Sequence, residues 1–264
     1  MEKNHVIQSV DRALQILEIF EDSDRELSLS QISREMQLNK STVFGLVGTL
    51  KSRGYLDQNS ETARYRLGIK LFKLGSIVEV NLDIREVARP FLKLLSDKHK
   101  ETVHLCLYVR NEVIYIDKVD GPGSMRMYSQ LGRKSPFHCT GVGKAVLAFL
   151  DDQTVDQFMN KTAFKSFTPN TITTPEALRR EIAKIREQGY CIDEEEIEIG
   201  LRCVAAPIFD RKGAVVGALS VAGPAARIND NAIKAIIDDI CEVSQMISEQ
   251  LGYSKQRQPP AVAG

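Results

Sequence analysis

The 264-residue chain has no tryptophan and no net charge, and its five cysteines never form a Cys-x-x-Cys pair. Cys106, Cys139, Cys191, Cys203 and Cys241 lie far apart. That spacing argues against structural zinc. A chain this long without a secretion signal is also a poor candidate for a disulfide framework. No apolar run reaches the roughly 18 residues of a membrane span. The first residues, MEKNHVIQSVDR, carry no signal-peptide core. A cytoplasmic location is expected, with no cofactor, no metal and no membrane partner.

Enzyme signatures are missing too. GxSxG, HExxH and GxGxxG do not occur. CTGVGKA approaches a phosphate loop, but His138 stands where the first glycine belongs, and Ala145 follows Lys144 instead of Ser or Thr. His138-Cys139 suggests a thiol–imidazole pair, yet neighbours on a strand point to opposite faces. The run Asp193-Glu194-Glu195-Glu196 reads as solvated. No enzyme is expected.

What is present is a winged helix-turn-helix. Leu29, Ile32 and Met36 set an apolar helical period that enters a turn at Gln37-Leu38-Asn39. A second helix spans Lys40 to Arg53, with Val43, Leu46, Val47 and Leu50 toward the core and Asn39 as N-cap. Tyr55-Leu56-Asp57 and Arg64-Tyr65-Arg66-Leu67 flank the polar turn QNSETA as a wing. Such a second helix fits a DNA major groove. Charge is segregated accordingly. Residues 1–33 hold three basic and seven acidic residues, and residues 34–73 hold eight basic and three acidic. The positive charge therefore falls where phosphates would be met.

On the recognition helix, Ser41, Gly45, Gly48 and Ser52 point outward at 100° per residue, with Thr42, Phe44 and Thr49 on the flanks. The outward glycines read either as close backbone approach to DNA or as tolerance of an exposed position. Candidate DNA contacts are Lys40, Ser41, Thr42, Phe44, Gly45 and Thr49 on the helix, with Arg64 and Arg66 on the wing. Ahead of them, SVDRALQILEIF forms a helix with a stripe of Val10, Ala13, Leu14 and Leu17, broadened by Ile16, Ile19 and Phe20. Core packing and a dimer contact both account for it.

The chain is expected to divide into a DNA-binding domain (1–68), a linker helix (69–82), a second domain (83–253) and a disordered tail (254–264). The second domain opens on a helix at Asp83–Lys98, where Pro90 kinks it or marks its restart. VHLCLYV and VIYIDKV form a hairpin around Arg110-Asn111-Glu112. A strand at Arg126–Leu131 follows, then a glycine turn, Gly141-Val142-Gly143, before a helix over Lys144–Leu150. Helices at Thr154–Met159 and Pro175–Gln188, a hairpin over Cys203–Phe209 and Ala214–Val221, and a helix at Asp230–Leu251 complete it. Hairpins interleaved with helices give an α+β domain with a central antiparallel sheet. Free amides at Gly141 and Val142, at the positive end of a helix dipole, can hold a carboxylate. An ordinary glycine-rich turn is the alternative.

The stretches IQSVDRALQILEIF, YRLGIKLFKLG, CTGVGKAVLA, GYCIDEEEIEIGLRCVAAPIFD and GALSVAGP, together with the helix-turn-helix, resemble the IclR family of bacterial transcription regulators from about Gln8 to Tyr253. RMYSQLGRKSPFHCTGVGKAVLA resembles the KdgR-type branch, which senses sugar acids such as 2-keto-3-deoxygluconate. The resemblance implies dimers or tetramers on palindromic operators and a GAF-like C-terminal domain that binds a small organic acid. It also implies a pocket at Gly141, Val142, Asp193, Cys203 and Ser220. In that pocket the amides take the carboxylate, Asp193 accepts from ligand hydroxyls, and Cys203 and Ser220 line the floor. Cys203 also reads as a small buried hydrophobe. One departure stands out: Phe44-Gly45 replaces the His-Arg or Tyr-Arg of many members, so a base-reading arginine is missing. The expected function is a repressor of a catabolic operon controlled by a small acid. A small-acid-converting enzyme with an accessory helix-turn-helix, and a protein-interaction module, are the rival classes.

Overall fold

The computed structural model describes residues 6–20, 26–80, 83–122 and 130–254. Two compact units make up the chain, residues 1–82 and 83–264. Among the described residues, no helix is long and apolar enough to cross a membrane.

The first unit runs α1 (Gln8–Glu18), α2 (Leu29–Glu35), α3 (Lys40–Ser52), β1 (Leu56–Gln58), β2 (Tyr65–Leu67) and α4 (Ile69–Val80). A capping box starts α2. The Ser28 hydroxyl accepts the Gln31 N–H, and the Gln31 side chain accepts the Ser28 N–H. Gln37 turns the chain with a left-handed φ of 52°. Asn39 occupies the N-cap position of α3, but its side chain makes no capping hydrogen bond. β1 and β2 pair antiparallel, and Leu27 adds a third rung through two backbone bonds to Tyr65. Ile16, Phe20, Ile32, Val43, Val47, Leu50 and Leu56 form the core. The expected stripe on α1 is therefore divided. Ile16 and Phe20 are buried, whereas Val10 and Leu14 are each 53% exposed and Val6 and Ile7 more so.

The second unit runs α5 (Asp83–His99), β3 (Thr102–Val109), β4 (Glu112–Val119), α6 (Gly141–Leu147), α7 (Asp152–Lys161), α8 (Pro175–Gln188), β5 (Cys191–Glu194), β6 (Leu201–Phe209), β7 (Val215–Pro224) and α9 (Ala232–Gln250). Pro90 lies inside α5, which continues through it. The strands form one antiparallel sheet in the order β4-β3-β7-β6-β5. Period-two alternation splits the sheet into two faces. Val103, Leu105, Val204, Ala206, Leu219 and Val221 pack with residues of α5 and α9. Cys106, Ala205, Ala218 and Cys191 pack with residues of α6, α7 and α8.

Four expectations change here. The glycine stretch is the first turn of α6 itself, because the Thr140 hydroxyl caps the helix by accepting the Gly143 N–H. His138-Cys139 lies in a turn, not on a strand. Asp193 and Glu196 are 3% and 4% exposed, so the acidic run is not solvated throughout. β5, absent from the sequence reading, forms an edge of the sheet. Residues 126–129 of the anticipated strand and 255–264 of the anticipated tail lie outside the described residues.

Candidate DNA-binding face and effector site

The face of α3 turned away from its core carries the anticipated DNA contacts. Lys40, Ser41, Thr42, Phe44, Gly45 and Thr49 are all exposed, Phe44 by 63%. Nothing lies within 4 Å of where a side chain at Gly45 or Gly48 would start. The Thr49 hydroxyl donates to the Gly45 carbonyl at 2.9 Å, which leaves its oxygen as an acceptor.

On the wing, both arginines already have partners. Arg64 donates to the Glu26 carbonyl at 3.2 Å. Arg66 pairs with Asp57 at 2.8 Å and with Glu26 at 3.4 Å. The hydrogen bond from Arg66 holds the Asp57 carboxyl below the usual carboxylate range. Lys51, one of the basic residues of this segment, donates to Gln58 on β1 at 2.7 Å.

In the second unit the sheet register brings three anticipated effector residues together. Asp193 pairs with Cys203, Cys203 with Ala222, and Ala205 with Ser220. Paired residues on antiparallel strands point to the same face, so Asp193, Cys203 and Ser220 share the face that α6 covers. Gly141 sits directly on this floor. An added side chain there would meet Cys203 Sγ at 2.5 Å, Ala205 Cβ at 3.2 Å and Asp193 Cβ at 3.7 Å. The Gly141 backbone favours the ionised forms of the Asp193 carboxyl and the Cys203 thiol, against the stronger effect of burial. Val142 is buried beside it.

The chemistry of the floor follows from burial. Asp193 Oδ1 accepts the Glu196 N–H at 2.9 Å. Burial pushes the Asp193 carboxyl up to about 7, against the pull of Lys144. Burial also raises the thiols, Cys203 and Cys106 well above the ordinary value and Cys139 and Cys191 to about 12. None is a thiolate at neutral pH, so none is an activated nucleophile. Among the described residues no cluster of His, Cys, Asp or Glu is arranged to hold a metal.

Two residues of this region escaped the sequence reading. Lys144, 1% exposed, pairs with Glu196, lies 3.8 Å from Glu181 and donates to the Ile192 carbonyl at 3.2 Å. Burial opposes its charge, but the Glu196 carboxylate paired with it outweighs that and keeps it protonated. A single lysine inside the apolar stretch VGKAVLAF was the available signal. His104 pairs in register with Ser220, and its Nδ1 lies 3.4 Å from the Ser220 hydroxyl. Burial pulls its pKa down to about 4, so the ring is neutral. Tyr115 meets it edge-on at 5.4 Å. The alternation of VHLCLYV already places His104 and Cys106 on one face.

Both halves of the chain match family models. Residues 9–60 match the IclR helix-turn-helix domain, and residues 77–249 match the bacterial transcriptional regulator IclR C-terminal domain. The chain is 39% identical over 248 residues to the HTH-type transcriptional regulator XynR of Escherichia coli, covering 94% of this chain and 98% of that one. It is 36% identical over 247 residues to the HTH-type transcriptional regulator KdgR of the same organism, covering 93% and 94%. An IclR homologue of Microbacterium hydrocarbonoxydans, solved with 4-hydroxybenzoate, superposes with a TM-score of 0.80 at 26% identity, covering 92% of this chain and 98% of that one. These are transcription regulators, not enzymes. The chain belongs to the IclR family of bacterial transcriptional regulators.

Proposed function

We propose that this regulator is a repressor of a catabolic operon in the cytoplasm, released from its operator by a small organic acid bound in the second unit. The observation that carries the effector reading is the seating of Gly141 over Cys203 and Asp193. It gathers an amide donor, a carboxyl and a thiol on one buried floor, with Ser220 one strand further on. The effector carboxylate takes the Gly141 and Val142 amides, Asp193 turns to a ligand hydroxyl, and Cys203 and Ser220 line the floor. The sugar-acid class fits the number of hydroxyl partners there. The bound 4-hydroxybenzoate of the Microbacterium relative supports an acid as the ligand type.

On DNA, Lys40, Ser41, Thr42, Phe44, Gly45 and Thr49 meet the major groove, and Arg64 and Arg66 meet phosphates. The exposed Val6, Ile7, Val10 and Leu14 favour a homodimer, with a homotetramer as a pair of dimers, on a palindromic operator. Half-sites sit one helical turn apart or at a multiple of it, so small displacements passed through α4 change affinity.

The test uses the full chain. A thermal-shift screen against sugar acids and short keto acids is paired with gel shifts on DNA upstream of the neighbouring operon. The acid that raises Tm is expected to release the DNA, and Asp193→Ala is expected to lose that release while still binding DNA. An Asp193→Ala protein that responds like wild type removes the effector site, and turnover of the acid restores the enzyme reading.

A further inference from the structure

The polar floor does not stop at Ser220. The register continues Asp193–Cys203–Ala222–Thr102 in one straight row across β5, β6, β7 and β3. The next row runs Ala205–Ser220–His104. Thr102 is 1% exposed, and its hydroxyl has no hydrogen-bond partner. A buried hydroxyl without a partner is costly, about 1–3 kcal/mol, and native proteins rarely keep one without a reason. Between Thr102 and Cys203 in that row stands only the methyl of Ala222, and Ala205 and Ser220 flank it in the next. The strip is thus built of small side chains between a polar group at each end.

We propose that Thr102, with His104 beside it, is the far recognition point of the effector site and selects for the length of the acid. This rests on the effector-site reading above. Thr102 lies two strand spacings from Cys203, about 10 Å. An extended chain advances roughly 1.2 Å per bond. A short keto acid held at Gly141 cannot reach Thr102. A hydroxylated acid of about five or six carbons can, and its terminal hydroxyl gives Thr102 the partner it lacks. His104, neutral and next to Ser220, presents one donor and one acceptor to the hydroxyls in between.

The experiment titrates the full-length protein calorimetrically with two acids that share a 2-keto carboxylate head and differ in the tail, pyruvate and 2-keto-3-deoxygluconate. Wild type is expected to bind the longer acid at least tenfold tighter. Thr102→Val keeps the side-chain shape and deletes only the hydroxyl. It should lose about tenfold for the longer acid and bind pyruvate within twofold of wild type. Its ligand-free Tm should equal or exceed that of wild type, because no hydrogen bond is broken. Unchanged binding of both acids, or a lower ligand-free Tm, overturns the proposal. Asp193→Asn separates the two readings. Loss of both acids in that variant, with Thr102→Val unchanged, removes the far recognition point alone. An Asp193→Asn protein that binds like wild type, or a wild type that binds neither acid, removes the site and the length selection together.

Discussion

A methyl group added to Gly141 would lie 2.5 Å from the Cys203 sulfur, closer than any real carbon approaches it. Glycine is required here by space, since α6 rests its first turn on β6. Gly141→Ala should lower unfolding free energy by about 1–3 kcal/mol, the usual cost of overpacking, and should abolish the response to the effector acid. Cys203→Ala in the same chain removes the nearest atom and leaves Ala205 Cβ at 3.2 Å. Urea denaturation of both single variants and the double should therefore show that the two changes together cost less than their sum. Strict additivity would mean that the contact is not where the strain resides.

Lys144, on the same helix α6, ties this region to β5 and the turn after it. It is the buried cation for the buried Glu196 and lies near the partly exposed Glu181. Lys144→Met leaves the buried Glu196 carboxylate without its cation, at a cost of about 3–5 kcal/mol. Lys144→Met combined with Glu196→Gln should cost less than Lys144→Met alone, because no buried charge of that pair is stranded. Equal loss in the single and double variants would show that packing, not charge, makes Lys144 necessary.

How much of this was legible in the sequence depended on the range of the interaction. The helix-turn-helix and both long hairpins follow from local period and turn residues, and their bounds came out close. The Cys203 and Ser220 placements follow from alternation within a hairpin. The Lys144–Glu196 pair spans 52 residues, and no local pattern distinguishes a buried acid from a solvated one in DEEE. Asn39 shows the opposite failure: a good capping residue in the right place makes no cap. β5 has four residues and begins just past the Gly189-Tyr190 turn that ends α8, too short to carry a period of its own. Thr102 looks like any strand threonine until the register across three other strands is known.

On the DNA side, Gly45 has open space around it. Gly45→Glu puts a carboxylate on the face meant for phosphates and base edges without touching the core. Operator affinity in gel shifts should fall at least a hundredfold, while Tm stays within about 2 °C of wild type. Full operator affinity in this variant would move the DNA-binding face elsewhere.

The Arg66–Asp57 pair poses a subtler test. At 54% exposure on each side chain, it adds little to stability. Its effect on DNA binding should be larger, because Asp57 occupies an arginine proposed to meet a phosphate and adds a negative charge beside it. Asp57→Asn should tighten operator binding several-fold at low salt, and the gain should shrink as salt rises. Arg66→Ala should weaken binding and flatten the salt slope by about one. Weaker binding by Asp57→Asn would show that the carboxylate positions Arg66 instead of competing for it.

Stability against pH offers a test that needs no ligand, because His104 and Asp193 pull in opposite directions. Burial, aided by the Lys118 cation and opposed by Asp120, lowers His104 from an ordinary 6.5 to about 4. The unfolded chain therefore binds the extra proton first, and this contribution to stability is lost as pH falls from about 6.5 toward 4. Burial raises Asp193 from 3.8 to about 7 despite Lys144. Here the folded chain holds the extra proton, so stability is lost as pH rises from about 4 to 7. The two slopes offset one another in wild type. Asp193→Asn removes one and exposes the other, so its Tm should fall more steeply than that of wild type between pH 6.5 and 4.5. His104→Asn should do the reverse and lose Tm as pH rises through the same window. Parallel Tm curves for wild type and both variants would mean that neither group changes its proton affinity on folding, and the buried floor would have to be wetter than its packing indicates.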